Sequence, residues 1–102
     1  MGGRIFSVVI SLYLLMIANV AVAGDPFAGS AIYTEYCTGC HGADGRGEIA
    51  GTPSFRGGRL MMKNDSELVN IINNGRDIMP SFRGVLTNDQ MQDIVAYLRT
   101  FL

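Results

Sequence analysis

Cysteine and histidine are scarce in this chain of 102 residues, which contains two cysteines and one histidine. A structural zinc site takes four ligands, most often from these two residue types. The chain has no second cysteine pair and no further histidine to complete such a set. Its small number of potential ligands therefore excludes the common zinc folds and leaves Cys37 and Cys40 as the only cysteine pair.

Basic charge and strand patterns are also lacking. Eight basic residues stand against nine acidic ones, and they form no basic stripe of the kind that nucleic-acid-binding domains carry. No segment alternates apolar and polar residues with the period of two that marks a half-buried strand. We therefore expect no nucleic-acid partner and predict an all-α fold.

The first 23 residues differ in composition from the rest of the chain. Residues 5–23 contain no charged side chain, follow a single arginine, and end in an Ala-Val-Ala triplet at 21–23. A basic start, an apolar run and a cleavage site of small residues are typical of a secretory signal peptide. We predict a signal peptide over residues 1–23 and one domain over residues 24–102. The alternative is a retained anchor, because the apolar run approaches the roughly 20 residues that span a bilayer.

Three segments of the predicted domain carry helix patterns. The first covers about Pro26–Tyr36, and the second covers about Asp65–Asn74. The third starts at a capping box of Thr87 and Gln90, after which apolar residues recur at i, i+3, i+4 and i+7. The glycine-dense stretch 42–58 is typical of a loop. A domain of this size usually needs a disulfide, metal or cofactor for stability.

The segment Cys37-Thr38-Gly39-Cys40-His41 is the attachment pattern of a c-type haem. Two thiols on one turn can bond to the two vinyl groups along one porphyrin edge, and the adjacent His41 can then ligate the iron. A redox-active dithiol is the main alternative, but that motif lies near a βαβ unit, for which the chain shows no strand. A structural disulfide between Cys37 and Cys40 would close a very small loop and remove little entropy from the unfolded chain.

The second axial ligand of such an iron cannot be histidine, because His41 is the only one. It must be a methionine, or the position is open. The methionines of the predicted domain are Met61, Met62, Met79 and Met91. Met91 lies on the apolar face of the third helix, whereas Met79 precedes Pro80 in a loop whose conformations the proline restricts. We predict Met79 as the ligand.

The chain resembles the class I c-type cytochromes of bacteria, which carry one haem. In that family a helix with a Gly-x-x-x-aromatic face leads into the attachment motif, and a Met-Pro loop and a C-terminal helix with an aromatic-Leu pair follow. The matching residues, in chain order, are Gly29 and Tyr33, Cys37 to His41, Met79 and Pro80, and Tyr97 and Leu98. The resemblance implies a small all-α fold of about three helices wrapped around one covalently bound haem c.

The resemblance also assigns roles to two further residues. Pro53 stands where the family commonly has a proline whose carbonyl accepts a hydrogen bond from the other ring nitrogen of the haem histidine, here His41. Gly29 is expected to let the C-terminal helix cross closely, with Tyr97 at the contact.

The function implied is transfer of single electrons between periplasmic or membrane redox proteins, without enzymatic activity. An iron with His41 and Met79 as axial ligands has no open position for a substrate. Two alternatives stay open. The chain is a haem subunit or biogenesis factor of a larger oxidoreductase, or it is an open-site haem enzyme in which Met79 does not ligate.

The signal peptide leads to a direct prediction. Expression with c-type haem maturation machinery should yield a chain that starts at Gly24, because the triplet at 21–23 provides the small residues that signal peptidase requires. N-terminal sequencing of the haem-containing product checks this. A start at Met1 in a membrane-bound product would instead identify residues 1–23 as an anchor.

Overall fold

The computed structural model describes residues 2–17 and 24–101. Helices account for all regular structure in these ranges, and two isolated bridges, Arg76 with Met79 and Arg83 with Leu86, are the only strand-like pairings there. The predicted all-α fold is therefore confirmed. The predicted cleavage triplet at 21–23 lies outside the described residues.

The N-terminal segment forms helix α1, Gly2–Ile17. The side chains described in this helix, those of residues 3–11, are exposed. Within residues 2–17 and 24–101, no helix combines the length and the apolar character that crossing a membrane requires. Signal peptide and anchor both remain predictions for this segment.

The three predicted helices are present where the sequence places them. They are α2 (Pro26–Tyr36), α4 (Asp65–Asn74) and α5 (Asn88–Leu98). The sequence pattern did not predict three shorter elements, which contain too few residues to show a period. These are α3 (Thr38–His41) and two 3-10 turns, Arg59–Met62 and Arg99–Phe101.

Side-chain caps explain where these helices begin. The carboxylate of Asp25 accepts a hydrogen bond from the N–H of Phe27, the second residue of α2. Thr87 and Gln90 form the reciprocal capping box at the start of α5. Such caps satisfy N–H groups that the first helical turn leaves without partners, so the local sequence fixes each helix start.

Helices α2 and α5 cross in close contact at Gly29. A Cβ atom at this position would overlap the carbonyl group of Asp93, and the next nearest atom is the backbone nitrogen of Ile94. The close crossing was predicted, but its contact point differs from the expectation. Gly29 meets the backbone of α5 one turn before Tyr97, whose ring packs instead against Tyr33 with centroids 5.2 Å apart.

The core lies between α2, α4 and α5 and includes the ends of the intervening loops. Its fully buried members are Tyr33, Ile94 and Val95. Tyr33 lies at the centre of an aromatic cluster, the group of rings formed by Tyr33, Phe55, Tyr97 and Phe101. Ring pairs at these separations add to the stabilisation that burial alone provides.

Arg99 connects the C-terminal end of α5 to the segment before α4. Its guanidinium donates hydrogen bonds to the carbonyl oxygens of Met61 and Lys63, at 2.5 and 2.7 Å, and to the carboxylate of Asp65 at 2.8 Å. Guanidinium is suited to this role because its donors have a fixed planar arrangement. The 3-10 turn that contains Met61 is therefore held against the core.

Replacing Gly29 with leucine tests the helix crossing. Gly29→Leu should lower the free energy of unfolding by about 1–3 kcal/mol, because the side chain must force α2 away from α5. Ala31→Leu is the matched control, since Ala31 is exposed on the same helix, and it should change stability by no more than about 0.5 kcal/mol. Equal denaturant midpoints for Gly29→Leu and the wild type would contradict the close crossing.

Candidate functional site

The attachment motif forms a single helical turn. The N–H groups of Cys40 and His41 both donate to the carbonyl of Cys37, at 3.3 and 2.9 Å. Residues separated by three and four positions share one face of a helix. The turn therefore brings both thiols and the imidazole to the same side, which is the arrangement that attachment along one porphyrin edge requires.

The glycine-dense loop holds this turn from its C-terminal side. The N–H of Gly47 donates to the carbonyl of His41 at 2.8 Å, and the N–H of Glu48 donates to the carbonyl of Cys40 at 2.9 Å. The hydroxyl of Tyr33 donates to the carbonyl of Gly42 at 2.6 Å. These bonds satisfy carbonyls that a helix end leaves open, so the loop and α2 together fix the position of the attachment turn.

Cys37 and Cys40 form no disulfide with each other. Cys40 is exposed and Cys37 is half-buried. Burial, together with the neighbouring Cys40, raises the pKa of the Cys37 thiol to about 11. Redox-active dithiols instead have a lowered pKa, because the thiolate is the reactive species. The site therefore disfavours the alternative of a thiol–disulfide oxidoreductase.

The imidazole of His41 is suited to bind a metal. Burial lowers its pKa below the ordinary value of 6.5, so the ring is neutral at neutral pH and keeps the lone pair that a ligand must donate. Its Nδ1 atom is buried and has no hydrogen-bond partner among the described residues. Two cysteines without a disulfide and a neutral imidazole on one turn fit the attachment and ligation of a haem.

The resemblance implies a hydrogen bond between the Pro53 carbonyl and the ring of His41. Since Nδ1 of His41 has no partner within the described ranges, the structure contains no hydrogen bond from this ring to the Pro53 carbonyl. The role of Pro53 as a partner of the haem ligand stays a prediction. The ring of Phe55 lies against His41 instead, with centroids 4.7 Å apart.

No pattern in the sequence predicted that Phe55 would lie against His41. The only signal available was its isolation, because it is the one aromatic residue in the glycine-dense stretch 42–58.

The environments of the methionines narrow the choice of a second ligand. Met91 is 2% exposed within the core, Met61 is 9% exposed in its 3-10 turn, and Met62 is 84% exposed. Met79 is half-buried and packs against the hydrophobic core from the loop between α4 and α5. Met79 is thus neither fixed in the interior of a helix bundle nor turned out into solvent.

The loop that carries Met79 is firmly held. The backbones of Met79 and Arg76 exchange two hydrogen bonds, at 2.9 and 3.1 Å. The N–H of Phe82 donates to the carbonyl of Ile72 in α4 at 3.1 Å. The Phe82 ring also meets the ring of Tyr36 edge-on, with centroids 6.2 Å apart. Because Tyr36 directly precedes the attachment turn, this contact joins the two parts of the candidate site.

Gly75 lets this loop fold back onto the end of α4. Its φ of +75° lies in the left-handed region, and a Cβ atom there would be 2.6 Å from the carbonyl oxygen of Met79 and 2.7 Å from the nitrogen of Ser81. Both the backbone conformation and the space therefore require glycine. Gly84 has a similar φ of +79° but nothing within 4 Å of its added Cβ.

The fold and the site together define a class of protein. An all-α domain that presents the Cys-x-x-Cys-His pattern on one helical turn has the fold and the attachment site of a small c-type cytochrome with one covalently attached haem. The chain belongs to the family described as cytochrome C oxidase, cbb3-type, subunit III, whose sequence profile matches residues 24–98.

Individual relatives support this assignment. The chain is 29% identical over 101 residues to cytochrome c6 of Nostoc sp., a match that covers 93% of this chain and 90% of the relative. It is 31% identical over 77 residues to cytochrome c6 of Leptolyngbya boryana, with 72% and 89% covered. Among solved structures, the KustC0563 c-type cytochrome matches with a TM-score of 0.67 and 26% identity, over 72% of this chain and 95% of that one.

These findings confirm the resemblance to class I c-type cytochromes that carry one haem. The chain is an electron-transfer protein with a single covalently attached haem c, and it is not an enzyme. The individual roles of Cys37, Cys40, His41 and Met79 are a separate matter, which the comparisons leave as predictions.

Covalent attachment through Cys37 and Cys40 can be measured directly. After extraction with acid and acetone, the intact mass of the chain should exceed the polypeptide mass by that of one haem, because thioether bonds survive this treatment. A Cys37→Ala, Cys40→Ala double variant should lose its haem in the same extraction. Release of haem from the wild type would contradict attachment through these residues.

A pair of glycine variants tests the loop that carries Met79. Gly75→Ala should destabilise the protein by about 1–3 kcal/mol more than Gly84→Ala. Both variants place alanine at positive φ, but only Gly75→Ala forces its Cβ against the backbone of Met79. Denaturant unfolding measures the difference, and equal losses for the two variants would show that the close approach is unimportant.

Proposed function

We propose that this chain is a periplasmic carrier of single electrons whose haem iron is ligated by His41 and Met79. Cys37 and Cys40 provide the covalent attachment. The observation that carries the proposal is the attachment turn, in which a neutral, half-buried imidazole lies on the same side as the two cysteine side chains. As His41 is the only histidine, the thioether of Met79, held in an anchored loop, is the best candidate for the opposite side.

Each of these residues has a defined task. When bound, the haem supplies exchange of one electron between Fe(III) and Fe(II). His41 binds through a neutral nitrogen, and Met79 excludes water and small ligands while its soft sulfur favours the ferrous state. Cys40 is exposed, so a haem edge attached there would lie close to solvent. We expect redox partners to approach there.

The net charge of the chain does not indicate which redox partner it binds. Without residues 1–23, the chain has seven basic and nine acidic residues, a net charge of 7 − 9 = −2. A net charge this close to zero provides only weak long-range electrostatic attraction towards a partner. Brief redox encounters use small interfaces. We therefore expect a short-lived complex with each redox partner.

Location in the periplasm follows from the predicted signal peptide. Residues 1–23 have the basic start, the apolar run and the small-residue cleavage site of an exported chain. Attachment of haem to a Cys-x-x-Cys-His motif is consistent with export, and a retained anchor would place the domain on the same side of the membrane.

A second candidate is a haem subunit of a larger oxidoreductase, which the description of the matching family favours. The lengths of the cytochrome c6 relatives favour a free carrier, because the matches span 90% and 89% of those proteins. Sedimentation of the native protein from a mild membrane extract separates these possibilities. A carrier should sediment near the mass of one chain, and a subunit should sediment with other proteins.

Removing the thioether of Met79 tests the proposed ligand. Met79→Ala should open the sixth position, so that carbon monoxide binds the ferrous form readily, and should lower the reduction potential because the sulfur no longer favours Fe(II). Each fall of about 59 mV corresponds to a tenfold change in the one-electron equilibrium. Optical spectra with and without carbon monoxide and a redox titration measure both effects.

Two other methionines provide controls for this experiment. Met62→Ala should leave the spectrum and potential unchanged, because Met62 is exposed. Met61→Ala should reduce stability without changing ligation. If Met61→Ala or Met62→Ala binds carbon monoxide while Met79→Ala does not, the ligand is misassigned. If the wild type itself binds carbon monoxide readily, the sixth position is open and Met79 does not ligate the iron.

A further inference from the structure

The carboxylate of Asp93 lies where α5 meets the start of α2. Its Oδ1 atom accepts a hydrogen bond from the N–H of Asp25 at 2.8 Å, across 68 positions of the chain. Asp25 in turn caps α2 by accepting from the N–H of Phe27 at 2.9 Å. The side chain of Asp93 therefore holds the point at which α2 begins against the middle of α5.

Gly24 packs on the backbone of α5 at the same place. A Cβ atom at Gly24 would overlap the carbonyl oxygen of Gln92 and would lie 3.1 Å from the backbone nitrogen of Asp93. Position 24 therefore takes no side chain unless the backbone moves. The nitrogen of Gly24 is three covalent bonds, or about 3 Å, from the nitrogen of Asp25 that Asp93 binds. The two nitrogens thus lie near the same carboxylate.

The surroundings of Gly24 are acidic and polar. A groove beside it is lined by residues of α4 and α5, none of them basic, which include Asp65, Asn70, Asn88 and Gln92. The carboxylate of Asp65 already pairs with Arg99. Asp93 is half-buried and forms no ion pair with another side chain in the ranges 2–17 and 24–101. A carboxylate partly withdrawn from water is stabilised by a nearby positive charge.

Cleavage at the predicted site would create a positive charge at this position. In the uncleaved chain the nitrogen of Gly24 belongs to a neutral peptide bond. On hydrolysis, water adds its hydroxyl to the carbonyl carbon of Ala23 and a proton to the nitrogen of Gly24. The released amine takes up a second proton from solvent at neutral pH, because the ordinary pKa of an α-amino group is roughly 7.7–8.0.

We propose that removal of residues 1–23 completes the crossing of α2 and α5, because the new α-ammonium group of Gly24 forms an ion pair with Asp93. The crossing is then held more tightly in the mature chain than in the precursor. The absence of a side chain at Gly24 is what allows the ammonium group to approach α5. The proposal rests on the predicted export and cleavage, and it is independent of which residues ligate the iron.

Acetylation of the mature holoprotein tests the ion pair. A Lys63→Arg background leaves the α-amino group as the only amine, since Lys63 is the only lysine of the chain. Acetylation removes the charge and should lower the folding equilibrium constant at pH 6.5 by about two- to fivefold, the size of a partly exposed ion pair. In an Asp93→Asn variant, whose amide oxygen can still accept from Asp25, acetylation should have no effect. An equal loss with and without Asp93→Asn would overturn the proposal.

Asp89→Asn is the matched control. Asp89 is exposed on α5, one turn before Asp93, so this change removes the same charge from the same helix without touching Gly24. Acetylation should cost as much in Asp89→Asn as in the parent chain. If Asp89→Asn abolishes the effect of acetylation as fully as Asp93→Asn does, the effect belongs to the overall charge of α5 and no specific pair exists.

The pH dependence gives a second measurement. The carboxylates near the ammonium group are those of Asp25, Asp93 and, across the groove, Asp65. An ion pair retains the proton in the folded state, so the folded chain binds more protons than the unfolded chain near pH 8, and stability falls as the pH rises. The gap between the free and acetylated chains should be full at pH 6.5 and absent by about pH 10. A gap that persists there would reflect the bulk of the acetyl group and would refute the pair.

N-terminal sequencing separates this inference from the predicted export. A mature chain that starts at another residue would refute the cleavage site and the ion pair together. A chain that starts at Gly24 but shows no Asp93-dependent effect of acetylation would refute only the ion pair. Neither result bears on ligation of the iron by His41 and Met79.

Discussion

The close crossing of α2 and α5 is the contact on which the rest of the domain depends. Without a side chain at Gly29, the two helix backbones come together, and this places Tyr33 beside Tyr97 and Phe101. The hydroxyl of Tyr33 then reaches the carbonyl of Gly42, next to the attachment turn. A wider crossing would move all of these groups together, because tightly packed side chains transmit displacement.

The two residues proposed as axial ligands are supported in different ways. His41 lies on a helical turn continuous in sequence with both cysteines, and the ring of Phe55 packs against its imidazole. Met79 lies on a loop whose fixed points are distant in sequence, namely the end of α4 and the ring of Tyr36. The histidine side is thus defined locally, whereas the methionine side depends on tertiary contacts. Local openings of a domain start where few contacts hold a segment, so the number of anchors on this loop matters for its role.

Charged side chains contribute mainly by joining segments. Arg99 binds two backbone carbonyls and the carboxylate of Asp65, which fastens the turn before α4 to the end of α5. The ion pair of Arg99 and Asp65 is partly exposed, and such pairs add little stability by themselves. The value of Arg99 therefore lies in satisfying backbone carbonyls of a loop that has no regular structure of its own.

The sequence by itself determined the features that depend on neighbouring residues. The attachment motif can be identified from the sequence because its chemistry requires two thiols and an imidazole within one turn. The helices can be predicted because their caps and apolar periods are local signals. Only the tertiary structure decided that Gly29 meets Asp93 and that Phe55 stacks on His41. Residues distant in the chain meet through packing of the whole domain, and no local pattern specifies which pairs those will be.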